Sequence, residues 1–138
     1  MINEKNILII DDDVETSLKY QKWLEAEQEE EEGFNLTLIN DPELTEQNFK
    51  TGNYDLVLID FRMSIVSGFD LYYKLQEISK KTDNISKRFR IGFMTASRIN
   101  YKVLAEIHPE FGEECYVCKK VEKEVFIKRV YSLIHLSK

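Results

Sequence analysis

The sequence predicts an α/β fold: a parallel sheet of five strands with helices on both faces. Three observations carry this. Strand-like runs alternate with helix-like patterns five times along 138 residues. Most of those runs are continuously apolar instead of alternating, as strands buried on both faces of a parallel sheet are. Four of them end in polar residues able to do chemistry, at the carboxyl edge where open α/β sheets bind ligands.

The first strand is Ile7-Leu8-Ile9-Ile10, running into Asp11-Asp12. A helix follows from about Val14, with Val14, Leu18 and Leu24 on one face and Tyr20 and Trp23 beside it. It continues into an acidic tail from Glu25 to Glu32, with Gly33 as its C-cap. Residues 34–39 alternate more, as an edge strand can. Asp41-Pro42 supplies the N-cap and first position of a short second helix. Tyr54-Asp55-Leu56-Val57-Leu58-Ile59 is the next strand and ends in Asp60. Leu71, Leu75 and Ile78 mark a third helix. Residues 90–94 form a strand ending in Thr95. Tyr101, Leu104 and Ile107 mark a fourth helix, stopped near Pro109. Cys115 to Cys118 form the last strand, ending in Lys119, and residues 125–134 form the last helix.

Composition narrows the function. Net charge is −6, against non-specific nucleic-acid binding, which needs a basic surface. No apolar run approaches the roughly 20 residues that span a bilayer. The first residues lack a signal-peptide layout, so the expected location is cytoplasmic. Length and the lack of any linker or repeat suggest one domain over 1–138. Cys115 and Cys118 form a C-x-x-C, but residues three apart on a strand point to opposite faces, so the pair is read as structural. His108 and His135 lie away from the strand ends and are read as surface or packing residues. The run Glu29-Glu30-Glu31-Glu32 is read as a solvated helix end, not a metal site.

The remaining strand ends form one set: Asp11, Asp12, Asp60, Thr95 and Lys119. Converging carboxylates repel, by about 4 kcal/mol for two unit charges about 4 Å apart at an effective dielectric of 20. They must protonate, bind a cation or pair with a base. Hard oxygens favour Mg²⁺. An aspartate nucleophile, a divalent metal, a lysine and a hydroxyl are the parts for phosphoryl transfer to a carboxylate.

These segments resemble the receiver domains of two-component response regulators. Ile7-Leu8-Ile9-Ile10-Asp11-Asp12-Asp13 resembles their opening, and residues 55–71 their phosphoacceptor segment. Phe93-Met94-Thr95-Ala96 is similar to their hydroxyl-bearing strand end, and Tyr116-Val117-Cys118-Lys119 to their lysine segment. The resemblance implies a flavodoxin-like three-layer fold with strand order 2-1-3-4-5. It implies that Asp60 is the phosphoacceptor. Asp12, Asp60 and the backbone carbonyl of Arg62 would ligate Mg²⁺, with Asp11 acting through a water. Thr95, Lys119 and the amide of Ala96 would bind phosphoryl oxygens, and Tyr116 with Thr95 would form the switch. The implied partners are a sensor histidine kinase or phosphotransfer protein and an unidentified downstream protein, without direct contact to nucleic acid or membrane. The domain would catalyse only its own phosphorylation and dephosphorylation, and would stand alone, since the residues after Lys119 are used by the last helix.

The chain departs from the family pattern in places. Ser64 and Lys120 stand where prolines are usual, so the Lys119-Lys120 bond is expected to be trans. Arg62 sits two residues beyond Asp60, at the position that tunes dephosphorylation in the family. Residues 79–88 and 107–114 are longer than typical. Two other readings compete. One is a receiver-like module that works without phosphorylation. The other is a haloacid-dehalogenase-type phosphatase, for which Asp11-Asp12-Asp13-Val14-Glu15 fits D-x-D but carries Glu15 where Thr or Val belongs.

Overall fold

The computed structural model describes residues 3–26, 32–51, 53–61, 63, 67–81, 89–95, 104, 106–119 and 121–135. Five strands, β1 (Asn3–Ile10), β2 (Glu32–Ile39), β3 (Leu56–Asp60), β4 (Arg90–Thr95) and β5 (Tyr116–Cys118), form one sheet in the order β2-β1-β3-β4-β5. All four pairings are parallel. This is the flavodoxin-like order. The helices are α1 (Val14–Glu25), α2 (Thr45–Thr51), α3 (Gly68–Lys81) and α4 (Lys123–Ile134). Of the helix expected around Tyr101, Leu104 and Ile107, residues 104, 106 and 107 are helical, and Tyr101 lies outside the described residues.

The continuous apolar strands divide residue by residue between two cores. Ile7, Ile9, Leu56, Leu58, Met94 and Val117 face α1 and α4, where they meet Tyr20, Leu24, Phe126, Val130 and Leu133. Leu8, Ile10, Val57, Ile59, Phe93 and Tyr116 face the other way, onto Leu71 and Leu75 of α3 and onto Leu104 and Phe111. Side chains alternate along a strand, so a sheet covered on both faces needs an apolar residue at every position.

Several expectations need correction. Helix α1 buries Ser17, Tyr20 and Leu24, whereas Val14 and Leu18 are 52% and 46% exposed. At 3.6 residues per turn, positions 17, 20 and 24 fall within roughly 60° of arc, which Val14 and Leu18 do not share with Leu24. Gly33 does not cap α1. The helix ends at Glu25, where the Ala26 N–H donates to the Lys22 carbonyl at 3.2 Å, and Gly33 pairs with Glu4 inside β2. Strand β1 begins at Asn3, so the ladder takes up Glu32 and Gly33; residues 27–31 lie outside the described residues. Cys115 closes the 3-10 turn Glu113–Cys115 instead of starting β5. Both cysteines are free thiols. Asp41 does cap, through Oδ1 and the Glu43 N–H at 3.0 Å, with Pro42 opening the 3-10 turn Pro42–Leu44 that leads into α2.

At Gly92, α4 packs closely against the sheet. A Cβ there would sit 2.7 Å from Leu58 Cδ2 and 3.0 Å from Leu133 Cδ1. Gly92→Ala is therefore expected to lower the unfolding free energy by about 1–3 kcal/mol through overpacking. Urea denaturation measures it, and an unchanged midpoint would show that α4 can retreat freely.

Candidate functional site

Register brings the site together. Ile10 lies opposite Ile39 on one side and Ile59 on the other, so the next residues, Asp11, Asn40 and Asp60, emerge side by side. The Asp11 N–H donates to the Ile39 carbonyl at 3.0 Å. Asn40 Nδ2 donates to the Asp11 carbonyl at 2.9 Å and to Ser17 Oγ at 3.0 Å. That contact explains a serine in the core of α1.

Asp11 is fully buried. Its Oδ1 accepts the Asp13 N–H at 2.9 Å. Asp13 then caps α1, accepting from the Glu15 and Thr16 N–H groups at 3.1 and 3.4 Å and from the Thr16 hydroxyl at 2.8 Å. The Thr16 hydroxyl, more than any other group, holds the exposed Asp13 carboxyl below the usual carboxylate range.

Asp60, the last residue of β3, is 6% exposed. The Phe61 N–H donates to the Met94 carbonyl at 2.7 Å, and the Gly68 N–H to the Phe61 carbonyl at 3.0 Å. The start of α3 thus presses against the loop after Asp60. A Cβ on Gly68 would meet the Asp60 carbonyl oxygen at 2.9 Å, and glycine permits that approach.

Lys119 and Thr95 close the far side. The Lys119 N–H donates to the Thr95 carbonyl at 2.7 Å. The Lys119 ammonium then reaches Asp11 Oδ2 at 2.9 Å and Asp60 Oδ1 at 3.1 Å. Burial pulls the lysine pKa down. The hydrogen bond and charge of Asp11, reinforced by Asp60, outweigh it and hold the pKa above the ordinary lysine value. Thr95 is buried, and its Oγ1 has no hydrogen-bond partner among the described residues.

Asp11, Asp12 and Asp60 each offer a carboxylate oxygen, and these lie within 4.8 Å of one another. Among the described residues, one ammonium against three carboxylates leaves a deficit of positive charge. An all-oxygen set of that charge fits a hard divalent cation such as Mg²⁺, with waters completing its octahedron. Of the residues expected at the site, Asp11, Asp12, Asp60 and Lys119 therefore converge, with Asp12 the most accessible of the three acids. Arg62, Ser64, Ala96 and Lys120 lie outside the described residues; among the described residues no peptide bond is cis.

Tyr116 is buried, 2% exposed, stacked on Phe93 at 5.9 Å and edge-on to Phe61 at 6.5 Å. Sequence reasoning missed Asn40 at the site and misplaced Tyr20 on α1. Asn40 occupies the strand end of β2, and the rule applied to the other four strands would have found it. Tyr20 was placed beside the core face of α1, whereas its ring lies fully inside. His108 is a packing residue as expected, stacked on Phe69 at 3.9 Å.

A doubly covered parallel sheet with an acidic trio, a lysine and a hydroxyl at its carboxyl edge is the architecture of a phosphoacceptor receiver. Residues 7–131 match the family model of the response regulator receiver domain, and the chain belongs to that family, whose members act in two-component signalling. A search of curated proteins finds no significant sequence match. Among solved structures, the chain is similar to the non-phosphorylated HemR receiver domain from Leptospira biflexa, with TM-score 0.73, 21% identity and 97% of each chain covered. It is also similar to the Vibrio cholerae chemotaxis protein CheY4, with TM-score 0.72 and 16% identity over 95% of this chain and 99% of that one. A third is the N-terminal domain of a response regulator/sensory box/GGDEF protein from Carboxydothermus hydrogenoformans, with TM-score 0.72, 20% identity and 94% of each chain covered. At these identities the likeness is one of fold. No helix among the described residues is long and apolar enough to cross a membrane.

Proposed function

We propose that Asp60 accepts a phosphoryl group from a histidine kinase or phosphotransfer protein, in a Mg²⁺-dependent reaction, and that this changes the binding of a downstream protein. One observation carries the reading: the Asp60 carboxylate sits at a strand end with a lysine ammonium 3.1 Å away and two further carboxylates within metal-sharing distance.

An Asp60 oxygen attacks phosphorus, the bond from phosphorus to the donor nitrogen breaks, and an aspartyl phosphate forms. Asp12, Asp60 and the Arg62 carbonyl would hold Mg²⁺, with Asp11 acting through a water. The ion supplies charge neutralisation on the phosphoryl oxygens. Lys119 turns from the acids to one phosphoryl oxygen. The Thr95 hydroxyl donates to another, with the Ala96 amide beside it. Tyr116 already lies inward, so its switching role consists in holding or releasing this buried position. The domain performs this on itself and turns over no separate substrate. We read it as a single cytoplasmic receiver over 1–138 that binds neither nucleic acid nor membrane.

Incubation with Mg²⁺ and acetyl phosphate, followed by intact mass, tests this. One phosphoryl adduct is expected, absent in Asp60→Asn and after Mg²⁺ is chelated. A folded protein that takes up no phosphoryl group would support the phosphorylation-independent module. The phosphatase reading loses ground because Asp13, the second aspartate of its D-x-D, is occupied in capping α1.

A further inference from the structure

Tyr20 is fully buried, and its hydroxyl has no hydrogen-bond partner among the described residues. A buried donor left unpaired is costly and calls for a physical reason. The ring is fixed: it stacks on Phe126 at 4.5 Å with 7° between planes and meets Trp23 at 5.9 Å.

Its direction follows from the helix. Side chains on an α-helix lean toward its N-terminus, and α1 begins at the acidic pocket. Ser17, one turn earlier on the same buried face, is tied through Asn40 to the Asp11 carbonyl. That lean carries the phenol toward the N-terminal end of α1, and the charges acting on it most strongly are those of Asp11 and Asp60. Burial, then the charges of Asp11 and Asp60, push the phenol pKa upward, so the hydroxyl stays protonated and remains a donor.

In the resting arrangement Asp11 Oδ2 is held by Lys119 at 2.9 Å. On the reading above, Lys119 is drawn to a phosphoryl oxygen, which takes the one direct donor away from a fully buried Asp11 oxygen and leaves that carboxylate only a water-mediated link to Mg²⁺. We propose that Tyr20 is a positioning residue that takes over Asp11 at that moment, its hydroxyl donating a hydrogen bond toward the carboxylate as the ammonium leaves. The handover stabilises the loaded state and leaves the resting state unaided. It rests on the phosphoacceptor reading, and it gives a purpose to a hydroxyl that packing alone does not require.

The experiment uses the full chain with Cζ-¹³C-tyrosine, titrated with Mg²⁺ and beryllofluoride as the phosphoryl mimic, with amide shifts followed together. The Tyr20 Cζ resonance, assigned by its loss in Tyr20→Phe, is expected to move downfield as the Asp60 and Thr95 amides shift. Tyr20→Phe keeps the ring stack. Its resting stability is expected to be unchanged or higher, with beryllofluoride affinity roughly tenfold weaker, the size of one hydrogen bond to a charged group. Phe126→Leu loosens the same stack but keeps the hydroxyl. It is expected to lower stability without that loss of affinity. If the Asp60 and Thr95 amides respond while Tyr20 Cζ does not move, the handover is wrong and the phosphoacceptor reading survives. If no amide responds, both fail. If Phe126→Leu weakens beryllofluoride as much as Tyr20→Phe does, the effect is packing and the proposal is overturned.

Discussion

Asp60→Asn is expected to abolish phosphoryl acceptance and, in the absence of metal, to make the protein more stable. The two effects have one cause. Asp60 shares a region 4.8 Å across with Asp11 and Asp12. Two unit charges at that separation repel by about 3 kcal/mol at an effective dielectric of 20. The substitution removes that repulsion toward both neighbours. It also removes the Asp60 contact with Lys119 at 3.1 Å, but the lysine keeps Asp11 at 2.9 Å. The net gain should be roughly 1 kcal/mol once screening is allowed for. On the proposed reading Mg²⁺ should reverse the ranking, because binding to the native state alone stabilises by RT ln(1 + [L]/Kd) and the variant would lack one ligand. Urea denaturation with and without Mg²⁺ measures both halves. A metal-free variant less stable than the parent would mean that Lys119 neutralises Asp60 more fully than the charge count allows.

The acidic set was legible in the sequence because it lies on strand ends. Continuous apolar runs such as 7–10 and 56–59 have one physical explanation in a chain of alternating elements, and their length fixes which residue emerges at the carboxyl edge. Asp11, Asp12, Asp60, Thr95 and Lys119 could therefore be placed before any contact was known. The face of α1 could not. Ser17 is buried through Asn40, which is 23 positions away, and hydrophobicity assigns no inward role to a serine. Tyr20 was ambiguous for a related reason, since a tyrosine flanking an apolar stripe is as readily amphipathic as buried. Gly33 looked like a helix stop because glycine serves both helix ends and strands. The choice was made by a ladder with Glu4, distant in sequence. Arg62 and Ala96 entered through family resemblance alone, because a backbone carbonyl or amide leaves no mark on side-chain pattern.

Lys119→Met should produce the largest loss of stability of any substitution at the site. The methionine keeps most of the stem volume and deletes the charge. Among the described residues, three carboxylates then share the pocket with no cation, and one of them, Asp11, is fully buried. Removing one partner of a buried pair costs about 3–5 kcal/mol, because the other charge is left uncompensated. That deficit is expected at pH 7 without metal, and millimolar Mg²⁺ should recover much of it by supplying the missing charge. The pH dependence has a definite sign. The Lys119 pKa in the folded state lies above the ordinary value of 10.5. Its contribution is fully present below that value and is lost as pH rises through the folded-state pKa. The gap between parent and variant should therefore be constant through neutral pH and close only in the alkaline range. Coupling gives a further check. In Asp60→Asn/Lys119→Met one carboxylate fewer is stranded, so the double variant should be more stable than the sum of the single effects predicts. Strict additivity, or a loss below about 1 kcal/mol in Lys119→Met, would mean that solvent already screens these charges. The ammonium would then have no buried acid to leave when a phosphoryl group arrives.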